Sequence, residues 1–237
     1  MAPTGKKDET ARLISDILGT MTIHLEARKK GLDNRDVLSY SVNVMTHSPM
    51  PGLKRQKPHV VVGRTELLNG RREGRELAER LLAQLAASEP DSILPVAFGQ
   101  VRFMDFSCAD ELLTRALRRI RSGELGTRFI LLQGLSPSVE ENLAAVFAIR
   151  DLVCPKLTKG GQIELLGKIG PELTETYHLG VRKGTISARD VMAIAPDVGA
   201  SAISNRLAKL QSMGLLIRTK EGALAGGGRQ FVYLAVC

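Results

Sequence analysis

The stretch Thr185–Arg218 reads TISARDVMAIAPDVGASAISNRLAKLQSMGLLIR, and its pattern predicts the order of helices and strands at the C-terminal end of the chain. A hydroxyl residue before an apolar run is a common helix start, because its oxygen can accept from an N–H group of the first turn. Ser187 is therefore the predicted cap of a short helix over Ala188–Ile194. Pro, Asp and Gly follow within Pro196–Gly199, which predicts a turn.

A second helix is predicted over Ala200–Met213, since apolar residues recur on one of its faces and Gly214 follows as a stop signal. Two β-type runs come next, at Leu215–Thr219 and Phe231–Val236, with a basic, glycine-rich segment between them. The predicted order is thus short helix, turn, second helix and β-hairpin.

This order resembles the winged helix-turn-helix family. The resemblance rests on the quoted stretch and on the closing sequence RQFVYLAV of Arg229–Val236. It implies a domain over 184–237 that binds duplex DNA, with the second helix in the major groove. Winged helices also serve as protein-docking modules, so that alternative stays open.

The residues expected to contact DNA lie on the second helix, away from its apolar face, and around the hairpin. Ser and Asn can hydrogen-bond to bases or phosphates, whereas Arg and Lys contact phosphates without reading sequence. For Asn205, plain solvation competes with a base contact. The candidates are Ser201, Ser204, Asn205, Arg206, Lys209, Arg218, Lys220 and Arg229.

A second distinctive stretch, Ser92–Leu117, reads SILPVAFGQVRFMDFSCADELLTRAL. Around it, strand-like runs alternate with amphipathic helices, which predicts an α/β layer. The stretch resembles STAS domains, and more closely the STAS-like domain found beside helix-turn-helix modules. That resemblance implies a mixed sheet with flanking helices. Helices are predicted over 71–87, 107–121 and 136–152, and strands over 59–62, 93–98, 129–133 and 162–166.

In anti-anti-sigma STAS proteins, a Ser at the start of the helix after this strand is phosphorylated, and Ser107 matches that position. Helix N–H groups there would favour an added phosphate. However, Phe106 and Cys108 replace the small neighbours of the family, and Asp110 and Glu111 would repel the phosphate. The preferred interpretation is that Ser107 is the N-cap, with Asp110 or Glu111 completing a capping box.

The charge of the chain is unevenly distributed. The 237 residues carry a formal charge of +8, which divides into +4 over 1–60, zero over 61–150, +1 over 151–183 and +3 over 184–237. A neutral centre with basic ends fits a scaffold flanked by parts that meet a polyanion, although +8 alone is equally compatible with simple solubility. Aromatic residues are only 4% and Trp is absent, which argues against an aromatic-cage or carbohydrate-binding module.

No catalytic set, metal site or cofactor is expected. The four His are scattered, and no phosphate-binding GxxxxGK[ST] motif occurs. Three widely spaced cysteines suit a reducing cytoplasm rather than a disulfide framework. Among them, Cys108 is predicted to be buried and Cys154 to lie at a helix end. No secretory apolar core or membrane-spanning run is found.

The sequence therefore predicts a helical extension and basic linker over 1–58, a STAS-like α/β domain over 59–166, a connecting helix over 167–183 and a winged helix-turn-helix over 184–237. The expected function is a cytoplasmic transcriptional regulator that binds duplex DNA as a homodimer. The helix predicted over Asp8–Lys30 would form the dimer contact or pack on the sheet. The STAS-like domain would dimerise the chain, sense a signal or dock a protein partner. The alternative is a partner-switching protein without DNA binding.

Overall fold

Strands and helices alternate in the computed structural model, which describes residues 54–55, 65–219, 222–223 and 229–237, with side chains over 65–219 and 231–237. The helix predicted near the N-terminus and the strand predicted over 59–62 lie outside the described residues. None of the described helices is both long enough and apolar enough to cross a membrane.

Six helices occur in the described part of the chain, and their starts follow ordinary helix chemistry. The third, for example, begins at Pro137 after the cap Ser136, whose hydroxyl accepts from the N–H of Val139. The helices are α1 (Gly70–Ala87), α2 (Phe106–Arg121), α3 (Pro137–Arg150), α4 (Pro171–Lys183), α5 (Ala188–Ile194) and α6 (Ala200–Ser212).

The strands form one mixed central sheet, one small antiparallel sheet near the C-terminus and two short pairs. In chain order they are β1 (Lys54–Arg55), β2 (Leu67–Leu68), β3 (Ser92–Ala97), β4 (Phe103–Met104), β5 (Arg128–Gln133), β6 (Val153–Leu157), β7 (Ile163–Gly167), β8 (Thr185–Ser187), β9 (Leu216–Arg218), β10 (Gly222–Ala223), β11 (Arg229–Gln230) and β12 (Val232–Ala235).

The central sheet has the order β1-β3-β5-β6-β7. The first four strands run parallel, and β7 is antiparallel to β6. Helix α2 connects β3 to β5 and α3 connects β5 to β6, so two βαβ units build the layer. Strands β3 and β5 are buried over most of their length, which explains their continuous apolar sequences. The predicted α/β architecture with flanking helices is therefore confirmed.

Close packing and ion pairs join the three helices of this layer. Helix α1 packs along α2, and α2 packs against α3. Gly74 allows the close approach of α1 to α2, because a Cβ atom at this position would lie only 2.7 Å from the carbonyl oxygen of Cys108. Between α2 and α3, the guanidinium of Arg150 binds the carboxylate of Asp110, and this hydrogen bond lowers the pKa of Asp110 although burial opposes it.

The C-terminal sheet is antiparallel with the order β8-β12-β9. Helix α4 packs against α6, β8 and β12, and α5 packs against α6. The hydroxyl of Tyr177, on α4, donates to the carbonyl oxygen of Val236 at 2.6 Å. Helix α4, predicted only as a connection, therefore shares its core with the C-terminal elements.

Two expectations about the central layer are wrong. The helix that follows Ser136 ends at Arg150, because Asp151 adopts a left-handed conformation with φ 53°. Cys154 consequently lies buried inside β6 instead of at a helix end. Strand β6 accommodates Pro155 because its ladder to β5 has only two register pairs, which do not include the proline.

The third correction concerns the start of α2. Asp105 is the N-cap, since its carboxylate accepts from the N–H of Cys108 at 2.7 Å and from the N–H of Gly70 at 2.9 Å. Ser107 is a residue of the first helical turn, and its hydroxyl donates to Asp105 at 3.1 Å. Asp110 and Glu111 complete no capping box with Ser107; Glu111 instead binds the guanidinium groups of α1, including that of Arg75.

Candidate nucleic-acid interface

The interface is built on two helices, α5 and α6, joined by the turn predicted from the sequence. Helix α5 begins directly after Ser187, as expected, and Asp190 reaches back to accept from the N–H of Ser187 at 2.8 Å. Burial opposes ionisation of Asp190, but hydrogen bonds from Lys183 and Ser187 lower its pKa. The start of α5 is thus fixed by a charged, hydrogen-bonded cap.

Helix α6 has one buried face and one exposed face. Ile203, Leu207 and Leu210 are at most 1% exposed, which confirms the predicted apolar face. The helix ends at Ser212, followed by the C-cap Met213 and by Gly214, whose φ of 75° favours glycine. Packing on one side therefore fixes the direction in which the other side faces solvent.

The exposed face of α6 carries the residues that the sequence singled out. Ser201, Ser204, Asn205 and Lys209 are exposed, and Arg206 is half-buried. Neither Arg206 nor Lys209 forms a salt bridge with another described residue. A cation without a carboxylate partner keeps its charge available for a phosphate.

A groove of about 400 Å³ runs between α6 and the strands that follow it. Its helix wall carries the polar side chains of Ser204, Asn205 and Gln211, and its strand wall carries Arg218 and two aromatic rings. The Cζ atom of Arg218 lies 4.5 Å from the centroid of the Phe231 ring, within the range of a cation–π contact. The structure thus brings three of the predicted residues, Ser204, Asn205 and Arg218, to one concave surface.

Phe231 is a residue of this surface that the sequence analysis did not select. Strand register explains its place, because Arg218 pairs directly with Tyr233, and Phe231 is two residues away along the strand, on the same face. The available signal was an aromatic residue at the start of a strand predicted to pair with the one that carries Arg218.

The remaining sequence candidates are not part of the groove as described. Lys220 and the side chain of Arg229 lie outside the described residues. The pairing of β10 with β11 continues the hairpin beyond Arg218. Ser107 lies at the start of α2 in the central layer, where its hydroxyl is occupied by Asp105.

Three of the arginines of α1 form ion pairs with carboxylates of α1 and α2. Arg71 and Arg75 bind Glu111 of α2, at N–O distances of 3.4 and 3.3 Å. Arg72 pairs along its own helix with Glu76 and is otherwise solvated. Two of these cations therefore join helices, which leaves less of their charge for an external phosphate.

A second cleft, of about 500 Å³, opens at the carboxyl ends of β5 and β6, where α/β sheets often bind ligands. Its central charge is Lys156, whose side chain is 11% exposed and whose ammonium binds both Glu140 and Glu164. Burial lowers the pKa of Lys156, but these two carboxylates outweigh burial and raise it. The cation is already neutralised. In the described part of the chain, no group of three or more metal-binding side chains occurs.

No family model matches the chain, and no curated protein or solved structure with significant similarity to it was found. The class of protein therefore has to be inferred from the element order, the groove and the distribution of paired and unpaired charge.

Proposed function

We propose that the protein is a DNA-binding regulator whose C-terminal elements, from α4 to β12, form a winged helix. The order of helix, strand, two helices and two strands, with the sheet order β8-β12-β9, supports this assignment. In this proposal α6 enters the major groove of B-DNA, which is wide enough to admit an α-helix.

One observation carries the proposal: the exposed face of α6 and the adjoining strand present cations without carboxylate partners among the described residues. Those cations are Arg206, Lys209 and Arg218, and Ser204 and Asn205 lie among them with hydrogen-bonding groups. By contrast, several arginines of the central helices are bound to carboxylates, as Arg150 is to Asp110. A surface with free cations around neutral polar groups suits phosphate contacts around base contacts.

The roles divide by chemistry. Ser204 and Asn205 would contact base edges, and Ser201, nearer the start of α6, would contact a base or a phosphate. Arg206, Lys209 and Arg218 would neutralise phosphates. Lys220 and Arg229 are assigned to the hairpin tip from the sequence alone.

The central α/β layer would serve as a STAS-like scaffold of a cytoplasmic homodimer. Two copies would place two winged helices on two half-sites, which raises affinity and specificity over a single module. Phosphorylation of Ser107 is not part of this proposal, since the added charge would lie beside Asp105.

A second candidate function, partner docking without DNA binding, is favoured by one exposed apolar cluster. Leu67, Phe103 and Phe106 are 59%, 40% and 37% exposed, and Leu67 pairs in register with Phe103. Large exposed apolar side chains in one place are typical of interaction surfaces.

Duplex selection from a random pool, followed by fluorescence anisotropy, separates the two functions. We expect the purified chain to bind a selected duplex at moderate salt, and Lys209→Ala to weaken binding to all duplexes by about tenfold through loss of a charged hydrogen bond. Arg115→Ala is the matched control, because Arg115 is also exposed and helical and forms no salt bridge with a described residue. Failure of the wild-type chain to bind any duplex would contradict the proposal and leave the docking function.

A further inference from the structure

The contact between Arg218 and Phe231 has features that packing alone does not explain. Phe231 is 42% exposed although it is large and apolar, and Arg218 is exposed as well. Because much of the ring stays in contact with water, its packing contributes less to stability than that of a fully buried ring. What it contacts is the guanidinium, whose carbon lies 4.5 Å from the ring centroid.

The guanidinium of Arg218 remains available to an external hydrogen-bond acceptor. No carboxylate among the described residues pairs with Arg218. A guanidinium held over a ring keeps N–H groups for another acceptor, and two of them can bind a phosphate in a bidentate contact. Stacking also reduces the side-chain freedom that Arg218 would otherwise lose on binding.

The groove beside this pair is lined by a cation and by polar side chains, which suit a phosphate ligand. Arg218 and Phe231 form one wall, and Ser204, Asn205 and Gln211 form the other. A cavity of about 400 Å³ falls in the size range of small-ligand sites, so it can take one segment of a sugar–phosphate backbone and not a whole duplex.

We propose that Phe231 is a positioning residue that holds Arg218 at the edge of this groove for a bidentate contact with one backbone phosphate. The DNA strand would then pass between α6 and the hairpin, with that phosphate at Arg218 and the base edges on the side of Ser204 and Asn205. The inference rests on the proposed DNA-binding function and adds a residue and a geometry to it.

Because the chain contains no Trp, Phe231→Trp places a single fluorescent reporter at the stack. Without DNA, we expect acrylamide to quench this Trp more strongly when Arg218→Gln is added, since the guanidinium no longer covers one ring face. Equal quenching in the two variants would show that the ring and the guanidinium do not stack, and would overturn the proposal.

Duplex affinity then measures whether the stack acts through Arg218. Phe231→Leu keeps an apolar side chain without an aromatic face, and we expect it to weaken binding by about two- to fivefold, the range of an exposed cation–π contact. Phe231→Trp should bind as tightly as wild type. In the Arg218→Gln background, Phe231→Leu should cause no further loss.

Ile149→Ala is the control, because Ile149 is also a large, apolar side chain, 67% exposed, and lies on α3 of the central layer; its duplex affinity should equal that of wild type. If Phe231→Leu weakens binding equally with and without Arg218, or if Trp fails to restore it, Phe231 does not position Arg218, while the DNA-binding function stands. If the wild-type chain binds no duplex, the proposed function fails and this inference fails with it.

Discussion

At the scale of single residues, His178 is a buried titratable side chain. It lies on α4, is 3% exposed and contacts Tyr177 edge to face, with ring centroids 5.5 Å apart. Its Nδ1 atom is buried and has no hydrogen-bond partner in the described part of the structure. Burial lowers the pKa of His178 and the charge of Arg182 lowers it further, while Glu164 opposes them. The neutral imidazole is therefore the form that the fold accepts.

This environment makes the free energy of unfolding depend on pH. The imidazole of His178 takes up a proton near pH 6.5 in the unfolded chain and only at lower pH in the folded chain. The contribution of His178 to the free energy of unfolding is therefore fully present above about pH 6.5 and is lost progressively as the pH falls. As the pH falls from 7 to 5, this group should lower the free energy of unfolding of wild type by at most about 1.4 kcal/mol per pH unit, as measured by urea unfolding. His178→Leu should flatten that dependence. Parallel pH profiles for the two proteins would show that His178 does not titrate in this way.

The start of α2 illustrates what a local pattern can and cannot predict. Asp105 and Ser107 are both able to cap a helix, and the sequence pattern favoured Ser107. Asp105 takes the position because it also accepts from Gly70, which is 35 residues away in sequence. A tertiary hydrogen bond decided between two locally acceptable caps, and no local pattern contains it.

At the scale of elements, Gly74 controls the approach of α1 to α2. A methyl group there would lie 2.7 Å from the backbone oxygen of Cys108 and 2.9 Å from the Cβ atom of Glu111. Backbone cannot rotate away as a side chain can, so the two helices would have to separate. The contact depends on the absence of a side chain at one position.

Gly74→Ala is therefore expected to destabilise the protein by roughly 1–3 kcal/mol from overpacking, even though Ala favours a helix over Gly by about 1 kcal/mol. Gly180→Ala is the control within α4, since its nearest new contacts are side-chain atoms at 3.4 Å. Urea unfolding should find Gly180→Ala neutral or stabilised. Similar stability changes in both variants would mean that Gly74 does not set the helix spacing.

Element prediction succeeded where a segment carried its own start and stop signals. Helix α6 has a turn before it, an apolar face and a terminal glycine, and its predicted bounds differ from Ala200–Ser212 by one residue. Strand β6 was missed because Val153–Leu157 is short, contains a proline and directly follows an apolar helix. Phe231 was missed for a related reason: its partner is set by register across a hairpin, which composition does not reveal.

At the scale of the whole molecule, the carboxylates of the central layer and the cations of the C-terminal elements have different surroundings. The central layer is neutral overall, and its carboxylates bind cations between helices, as Glu111 does with Arg71 and Arg75. The C-terminal elements keep cations such as Lys209 and Arg218 without carboxylate partners among the described residues. At the C-terminal end, these unpaired cations lie on one surface around Ser204 and Asn205.

The two parts are also in physical contact. A Cβ at Gly214, where α6 ends, would lie 3.3 Å from a methyl carbon of Ile120 at the end of α2. The turn after α6 thus rests on the central layer, and the orientation of the proposed DNA-binding helix depends on that layer as well as on its own core.

The salt dependence of duplex binding by the wild-type chain shows whether α6 and Arg218 bind DNA phosphates. If the exposed face of α6 and Arg218 bind phosphates, the logarithm of the association constant should fall linearly with the logarithm of salt concentration between about 50 and 200 mM. Lys209→Gln and Arg218→Gln should each reduce the magnitude of that slope by about 1, and Arg115→Gln should leave it unchanged. Absence of duplex binding, or a slope that the first two substitutions leave unaltered, would show that this surface does not bind DNA phosphates.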